Sequence, residues 1–266
     1  RIAMISVHGC PVIQAGEKDA GGMNIYVLEI AKKLADMGAL VDVYTRHHDP
    51  SDPLLVYLSE KARVLHMPAG PPTIGKQGVF ELLGEFTKQI NEFTRGNYHK
   101  YDVIASHYWL SGIVGETLKD LWNIPHVTSF HTLSKLKQLA RPNELEHSER
   151  INSERQIARF SDGVIAWTEH EQIALIDLYQ APNDHVYVIP PGVDSSKFKP
   201  NVNSDARSEL NFGNQRAILF VGRLERLKGI DILIKALAQL KHKDGIKLFI
   251  AGGNANSSEM IRLLDE

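Results

Sequence analysis

Two short segments of this chain combine residue types suited to holding an anion, the second of them a diphosphate. In Lys18-Asp-Ala-Gly21-Gly22-Met23-Asn24, a Gly-Gly pair directly precedes an amphipathic helical pattern. Such a pair exposes backbone N–H groups and brings the positive end of a helix dipole against an anion. In Val221-Gly-Arg223-Leu-Glu-Arg-Leu-Lys228-Gly229, an arginine and a lysine follow an apolar strand pattern. A guanidinium fork and an ammonium point charge at a strand's carboxyl end suit a diphosphate. Taken singly, the glycines read as a flexible turn and the cations as solvated surface; the strand-end position turns the reading of the cations toward binding. A third set is scattered: Lys76, His107-Tyr108, His131-Thr132 and Arg150. Each alone reads as structural, but lysine, arginine, tyrosine and threonine brought together by a fold would make a phosphate pocket.

Other chemistries lack their signatures. The Gly21-Gly22 loop is not the G-x-G-x-x-G dinucleotide fingerprint, and no G-x-x-x-x-G-K-[ST] loop occurs, which disfavours NAD enzymes and P-loop NTPases. The chain has twelve histidines, with His47-His48 and His107 with His131 as candidate metal pairs. No H-E-x-x-H is present, and adjacent histidines on a strand face opposite ways, so a protein-held metal is disfavoured. No G-x-S-x-G elbow supports a serine hydrolase. Cys10, beside Pro11, reads as a small packed residue, and Lys135 and Lys137 read as solvated faces.

The 266 residues are 43% hydrophobic and 23% charged, enough chain for a sizeable core. Thirty Lys+Arg against 32 Asp+Glu give a net charge of −2, which argues against nucleic-acid and membrane-surface partners. The single cysteine excludes an internal disulfide framework and a cysteine zinc knuckle. No apolar run approaches the roughly 18 residues of a membrane span. The chain opens directly on a strand pattern, Arg1-Ile-Ala-Met-Ile-Ser-Val7, with no signal-peptide architecture, and is expected to be cytoplasmic.

The elements that must position these residues alternate β-rich runs with longer amphipathic stretches, the pattern of a parallel α/β sheet. Strands are expected near 1–7, 40–46, 61–67, 101–106, 125–130, 163–168 and 186–189, with helices near 22–38, 78–97, 110–122, 143–160 and 169–179. The first helix places Ile25, Val27, Leu28, Ile30, Ala31 and Leu34 on its apolar side, with Lys32 and Lys33 outward. Ligand sites of such sheets lie at strand carboxyl ends, here the loops after residues 7, 67, 106 and 130. The segment Ile189-Pro-Pro-Gly-Val-Asp-Ser-Ser-Lys-Phe-Lys-Pro200 can continue neither element type. A polar stretch to Gln215, expected to hold a short helix, precedes a second βαβ: strand 217–222, helix 227–241, strand 246–250, and Ala251-Gly-Gly253 opening a further helix. This divides the chain into a domain of residues 1–196 and the start of a second, 197–266. Two parallel strands do not make a stable unit alone, so more of this domain is expected to follow.

Five motifs resemble the retaining GT-B glycosyltransferases of family 4: Gly21-Gly-Met-Asn-Ile-Tyr-Val27, Ser106-His-Tyr-Trp-Leu-Ser-Gly112, His131-Thr-Leu133, Pro190-Pro-Gly-Val-Asp194 and Val221-Gly-Arg-Leu-x-x-Leu-Lys228. Within the family the chain is most similar to the branch whose acceptor is inositol 3-phosphate, and then to the sucrose-phosphate synthase branch. The resemblance implies two Rossmann-like domains with a ligand cleft between them, the second incomplete in this chain. It implies a donor site of Gln14, Gly22, Arg223 and Lys228, with His131 near the transferred sugar. It also implies an acceptor site of His8, Asp19, Gly21, Asn24, Lys76, Tyr108, Thr132 and Arg150. Glu154, four residues after Arg150, would share its helical face and could hold it in position. Two departures from the family pattern stand out: Gln14-Ala-Gly16 replaces the usual Gln-Pro-Gly, and the segment between Thr132 and Arg150 needs a small gap to align with it. The family's Glu-x7-Glu element is expected after Glu266.

The resulting reading is a hexosyltransferase moving sugar from a nucleotide-diphosphate sugar to a phosphorylated acceptor. Arg223, Lys228 and His131 are its expected catalytic residues. No Asp-x-Asp motif is present, so no protein-held cofactor is required, although Mg²⁺ can accompany the nucleotide diphosphate. Transfer to fructose 6-phosphate is the alternative within the class, and a non-catalytic sugar-phosphate or nucleotide-binding module the alternative outside it. A phosphorylase-like enzyme is disfavoured because nothing suggests a pyridoxal phosphate lysine. The oligomeric state is left open, a homodimer included.

Overall fold

The computed structural model describes residues 1–13, 21–72, 74–75, 78–142, 146–200, 207–208, 211, 213, 215–222, 224, 228–241 and 244–252. The described residues form two compact units that divide between Pro191 and Gly192.

In the first unit, eight strands form one sheet in the order β3-β4-β2-β1-β5-β6-β7-β8. They are β1 (Ile2–Ile5), β2 (Val41–Arg46), β3 (Leu55–Tyr57), β4 (Ala62–Met67), β5 (Val103–His107), β6 (His126–Ser129), β7 (Gly163–Ala166) and β8 (Val186–Val188). Every neighbouring pair is parallel except β3 with β4. The helices are α1 (Gly22–Asp36), α2 (Leu83–Gly96), α3 (Trp109–Trp122), α4 (Ser134–Ala140), α5 (Ser148–Phe160) and α6 (Glu169–Tyr179).

Strand side chains alternate between two covered faces, as a buried parallel sheet requires. Ala3 and Ile5 of β1 pack with Phe86 and Ile90 of α2 and Val114 and Leu118 of α3. Met4, facing the other way, packs with Val27 and Ala31 of α1. A third cluster joins Phe130, Leu133, Ile157, Val164, Leu175 and Tyr179. The strand order reverses at β1, whose neighbours are β2 on one side and β5 on the other. That reversal marks a crevice outside the carboxyl ends of β1 and β5, where ligands of such sheets bind.

One close approach explains a glycine. A Cβ on Gly115 of α3 would lie 2.3 Å from Nε2 of His126. His126 is fully buried and bonds Ser106 Oγ at 2.7 Å, and burial pushes its pKa down to about 3, so it is a neutral structural histidine.

Several expectations are corrected. Strand β3 was not anticipated; it is a three-residue antiparallel edge. Helix α4 was not anticipated either. Lys135 and Lys137 on it are half-buried rather than solvated: Lys135 Nζ donates to Leu178 O at 2.8 Å, and Lys137 pairs with Glu146. Ile25 is 55% exposed, because α1 buries Asn24, Val27, Ala31 and Ala35 instead. His47 and His48 lie beyond the end of β2 and both turn to Asp52, one to its carbonyl at 3.0 Å and one to its carboxylate at 3.5 Å. The helix expected at 143–160 runs over 148–160 among the described residues.

In the second unit β9 (Arg216–Val221) and β10 (Ile246–Ala251) are parallel, joined through α7 (Ile230–Ala238). The helix is shorter than the expected 227–241. The turns after the two strands nearly touch: Gly252 has φ 133°, and a Cβ there would lie 2.1 Å from Gly222 O. Only glycine fits that approach. The helix expected after Gly253 and most of the 201–215 stretch lie outside the described residues.

Candidate functional site

The loop after β1 is tied to the start of α1. Asn24 Nδ2 donates to Cys10 O at 2.8 Å, and its Oδ1 accepts from Gly21 N at 3.1 Å. The buried Asn24 amide, expected to line an acceptor pocket, is thus engaged by two backbone groups and shapes the loop. Gly22, the first residue of α1, is exposed and has open space where a Cβ would stand. Cys10 is buried, and desolvation pushes its thiol up to about 11, which fits a packed residue.

Three of the expected acceptor residues meet around one guanidinium. Arg150, on α5, donates through Nη2 to Thr132 O at 3.2 Å and Thr132 Oγ1 at 3.1 Å. Its Cζ lies 5.1 Å from the Tyr108 ring centroid, a cation–π distance. His8 packs on the other partner of that stack, 4.6 Å from the Tyr108 ring. Tyr108 itself sits at φ 77°, ψ 156°, where a non-glycine residue stores about 1–3 kcal/mol of strain. Its N–H donates to Ser129 O at 2.8 Å and its carbonyl accepts from Gly112 N at 2.9 Å, so β6 and α3 hold the strained turn.

Arg150 is only 8% exposed, and two carboxylates hold it. Nε donates to Glu154 Oε1 at 2.7 Å and Nη1 to Glu146 Oε2 at 3.1 Å. Burial by itself would lower the arginine's pKa; Glu154 above all, with Glu146, reverses this and raises it. Glu154, fully buried, also accepts from Ser134 N at 3.0 Å, from the Ser134 hydroxyl, and from Tyr179 OH at 2.7 Å. The expected support of Arg150 by Glu154 is present. Glu146, four residues before Arg150, has the same spacing but was not singled out; the roles of Ser134 and Tyr179 have no local signal, because they lie 20 and 25 residues from Glu154 in the sequence.

His131 follows β6 with φ 62°, which folds its ring toward the end of β5. There Nε2 lies 3.0 Å from Nδ1 of His107. Burial pushes His107 down to about 4 and His131 to about 2, so both imidazoles are neutral at pH 7. The candidate metal pair is therefore a direct N···N hydrogen bond. Tyr26 and Trp167 pack on His131 with ring centroids at 5.3 and 4.9 Å. Neither aromatic was singled out from the sequence.

Arg46 was also missed. Buried at the end of β2, it donates to the carbonyls of His47, Ala69, Pro71 and Pro72 at 3.1–3.4 Å and so shapes the loop after β4. Lys76, further along that segment, lies outside the described residues, as do Gln14, Asp19 and Arg223. Lys228 is exposed just before α7, its stem beside Gly222 at the end of β9.

This arrangement offers a buried cation with two hydroxyl-bearing neighbours at the sheet's switch point, and a neutral histidine pair beside it. The family model described as Glycosyltransferase Family 4 matches residues 20–197. The chain belongs to glycosyltransferase family 4. A second model, Glycosyl transferases group 1, matches residues 202–266. The D-inositol 3-phosphate glycosyltransferase of Corynebacterium aurimucosum is 40% identical over 97% of this chain and 64% of its own length. The sucrose-phosphate synthase structure from Thermosynechococcus elongatus superposes with a TM-score of 0.87 at 32% identity, over 99% of this chain and 65% of the synthase. Anabaena HepE, solved with UDP and glucose, shares the fold at a TM-score of 0.69 and 20% identity, over 99% of this chain and 64% of HepE. The family 4 chain described here thus spans slightly less than two thirds of these relatives. Its architecture is of the GT-B class, with the second domain incomplete relative to them. None of the described helices is long and apolar enough to cross a membrane.

Proposed function

We propose that the complete protein is a retaining hexosyltransferase that moves a sugar from a nucleotide-diphosphate sugar to a phosphorylated polyol of the inositol 3-phosphate class. The observation that carries this reading is the Arg150 guanidinium, fixed by two carboxylates and presented beside Thr132 and Tyr108 at the sheet's switch point. A cation bordered by hydroxyl groups suits a phosphate monoester better than a neutral sugar. The relative from Corynebacterium aurimucosum, named for inositol 3-phosphate, supports the same acceptor class.

On the donor side the main demand is charge developing on the departing diphosphate. Arg223, Lys228 and the exposed backbone at Gly22 are assigned to that charge, with His8, Asp19, Gly21, Asn24 and Lys76 completing the acceptor side and Gln14 the donor side. The reading asks for no protein-held metal; Mg²⁺ can arrive with the nucleotide. Nucleotide sugars are cytoplasmic metabolites, and the reading places the enzyme there.

Likeness to sucrose-phosphate synthase favours fructose 6-phosphate as the second acceptor to test. The experiment is kcat/KM for inositol 3-phosphate and fructose 6-phosphate against inositol and fructose, with UDP-sugars, on the complete protein. Charge-assisted bonds of about 1.5–3 kcal/mol each predict a preference of about a hundredfold for one phosphorylated acceptor. Equal use of an unphosphorylated acceptor overturns the acceptor class, and an inert complete protein that binds these ligands favours a non-catalytic module.

A further inference from the structure

His107 is the last residue of β5, and β6 lies beside it in parallel register, His107 opposite Ser129. The chain leaves β6 through the fully buried Phe130 and turns at His131 into the left-handed region. That turn brings His131 Nε2 to 3.0 Å from His107 Nδ1. Tyr26 lies edge-on to both imidazoles, at 5.7 Å from His107 and 5.3 Å from His131, and Trp167 meets His131 edge-on at 4.9 Å. Rotating the His131 ring would exchange its bonded nitrogen for a carbon and lose the bond to His107.

Both imidazoles are neutral, so a single proton lies in the N···N bond. The tautomers of the two rings are then coupled. If His107 Nδ1 donates, His131 carries its proton on Nδ1 and His107 Nε2 is a bare acceptor. If His131 Nε2 donates, the roles of the two outer nitrogens exchange. Those outer atoms, His107 Nε2 and His131 Nδ1, are buried and have no hydrogen-bond partner among the described residues.

We propose that His107 is a positioning residue for the transfer reaction, holding His131 in one tautomer so that Nδ1 meets a hydroxyl of the transferred sugar. This rests on the proposed hexosyltransferase reading and on the family resemblance, which implies a place for His131 near that sugar. A neutral imidazole nitrogen, whether donor or acceptor, matches a hydroxyl, which is both. It does not compete with cations for the diphosphate. The strand-end bond thereby separates the recognition of sugar from the stabilisation of leaving-group charge.

The test uses the complete protein labelled with ¹⁵N-histidine, read by imidazole nitrogen chemical shifts and by steady-state kinetics. Wild type is expected to show His131 as a single neutral tautomer from pH 5.5 to 8. His107→Asn, whose side-chain amide can replace Nδ1, is expected to keep that signature and most of kcat. His107→Leu is expected to mix the tautomers and lower kcat about tenfold with acceptor KM unchanged, the scale of one neutral hydrogen bond. A wild-type spectrum with mixed tautomers or a protonated His131 overturns the proposal even if no variant folds, as does a His107→Leu enzyme with wild-type signature and kcat. If wild type transfers to no phosphorylated acceptor, the hexosyltransferase reading fails, and the proposed catalytic role of His107 falls with it. The spectrum then still decides whether His107 fixes the tautomer.

Discussion

Arg150 and Glu154, one turn apart on α5, form a buried ion pair with Nε 2.7 Å from Oε1. The same carboxylate accepts the N–H and hydroxyl of Ser134 at the start of α4 and the hydroxyl of Tyr179 at the end of α6. One side chain therefore joins three helices to the candidate acceptor cation. Glu154→Ala leaves a buried guanidinium without its main partner and is expected to cost about 3–5 kcal/mol of stability. Glu154→Gln, which keeps an acceptor oxygen, is expected to cost less. Denaturant unfolding of the complete protein measures both; a loss below about 1 kcal/mol for the alanine variant contradicts the assignment.

A buried histidine and a half-buried glutamate give opposite pH slopes. His126 titrates near 6.5 when unfolded and is pushed down to about 3 by burial when folded. Unfolded chains then bind more protons below pH 6.5, so the stability present above that pH is lost as the pH falls. His126→Gln is expected to recover about 2 kcal/mol of the loss between pH 6.5 and 5. Glu116 runs the other way: desolvation raises its folded pKa to about 7 against the Gln156 amide 3.0 Å from Oε2. Folded protein binds the extra proton between pH 4.5 and 7, so stability falls as the pH rises through that window. Glu116→Gln is expected to flatten this slope in unfolding curves measured from pH 5 to 8.

Arg46 has four carbonyl acceptors. Arg46→Lys keeps the charge but cannot reach them all with one ammonium. Amide exchange at Ala69 and Gly70 is expected to accelerate at least about tenfold, the scale of losing one or two net hydrogen bonds. Exchange at the wild-type rate would show that the loop holds itself.

On the donor side, Arg223→Ala and Lys228→Ala are each expected to lower turnover about a hundredfold in the complete protein, the scale of one charge-stabilising donor. Near-normal kcat/KM in both variants sinks the donor assignment.

What could be read in advance follows from the range of the forces involved. The central strands announce themselves as apolar runs because the sheet is buried on both faces, and α1, α2 and α3 carry local apolar periodicity. Helix α4 carries none: its first N–H, at Ser134, is satisfied by Glu154 twenty residues on in the sequence. Strand β3 is three residues long and half-exposed, too short for alternation to register. Within the site, the Arg150–Glu154 pair is legible from its four-residue spacing. The His107–His131 bond is not, because it depends on the register of β5 with β6 and on a left-handed turn at a histidine.

Both outer strands of the large sheet, β3 and β8, are three residues long. A second molecule adding to either margin would gain only a few main-chain bonds, too few to template continued stacking. The large sheet is thereby guarded against fibre-like growth at both ends without a barrel's closure, and a second copy would gain little by pairing along either margin.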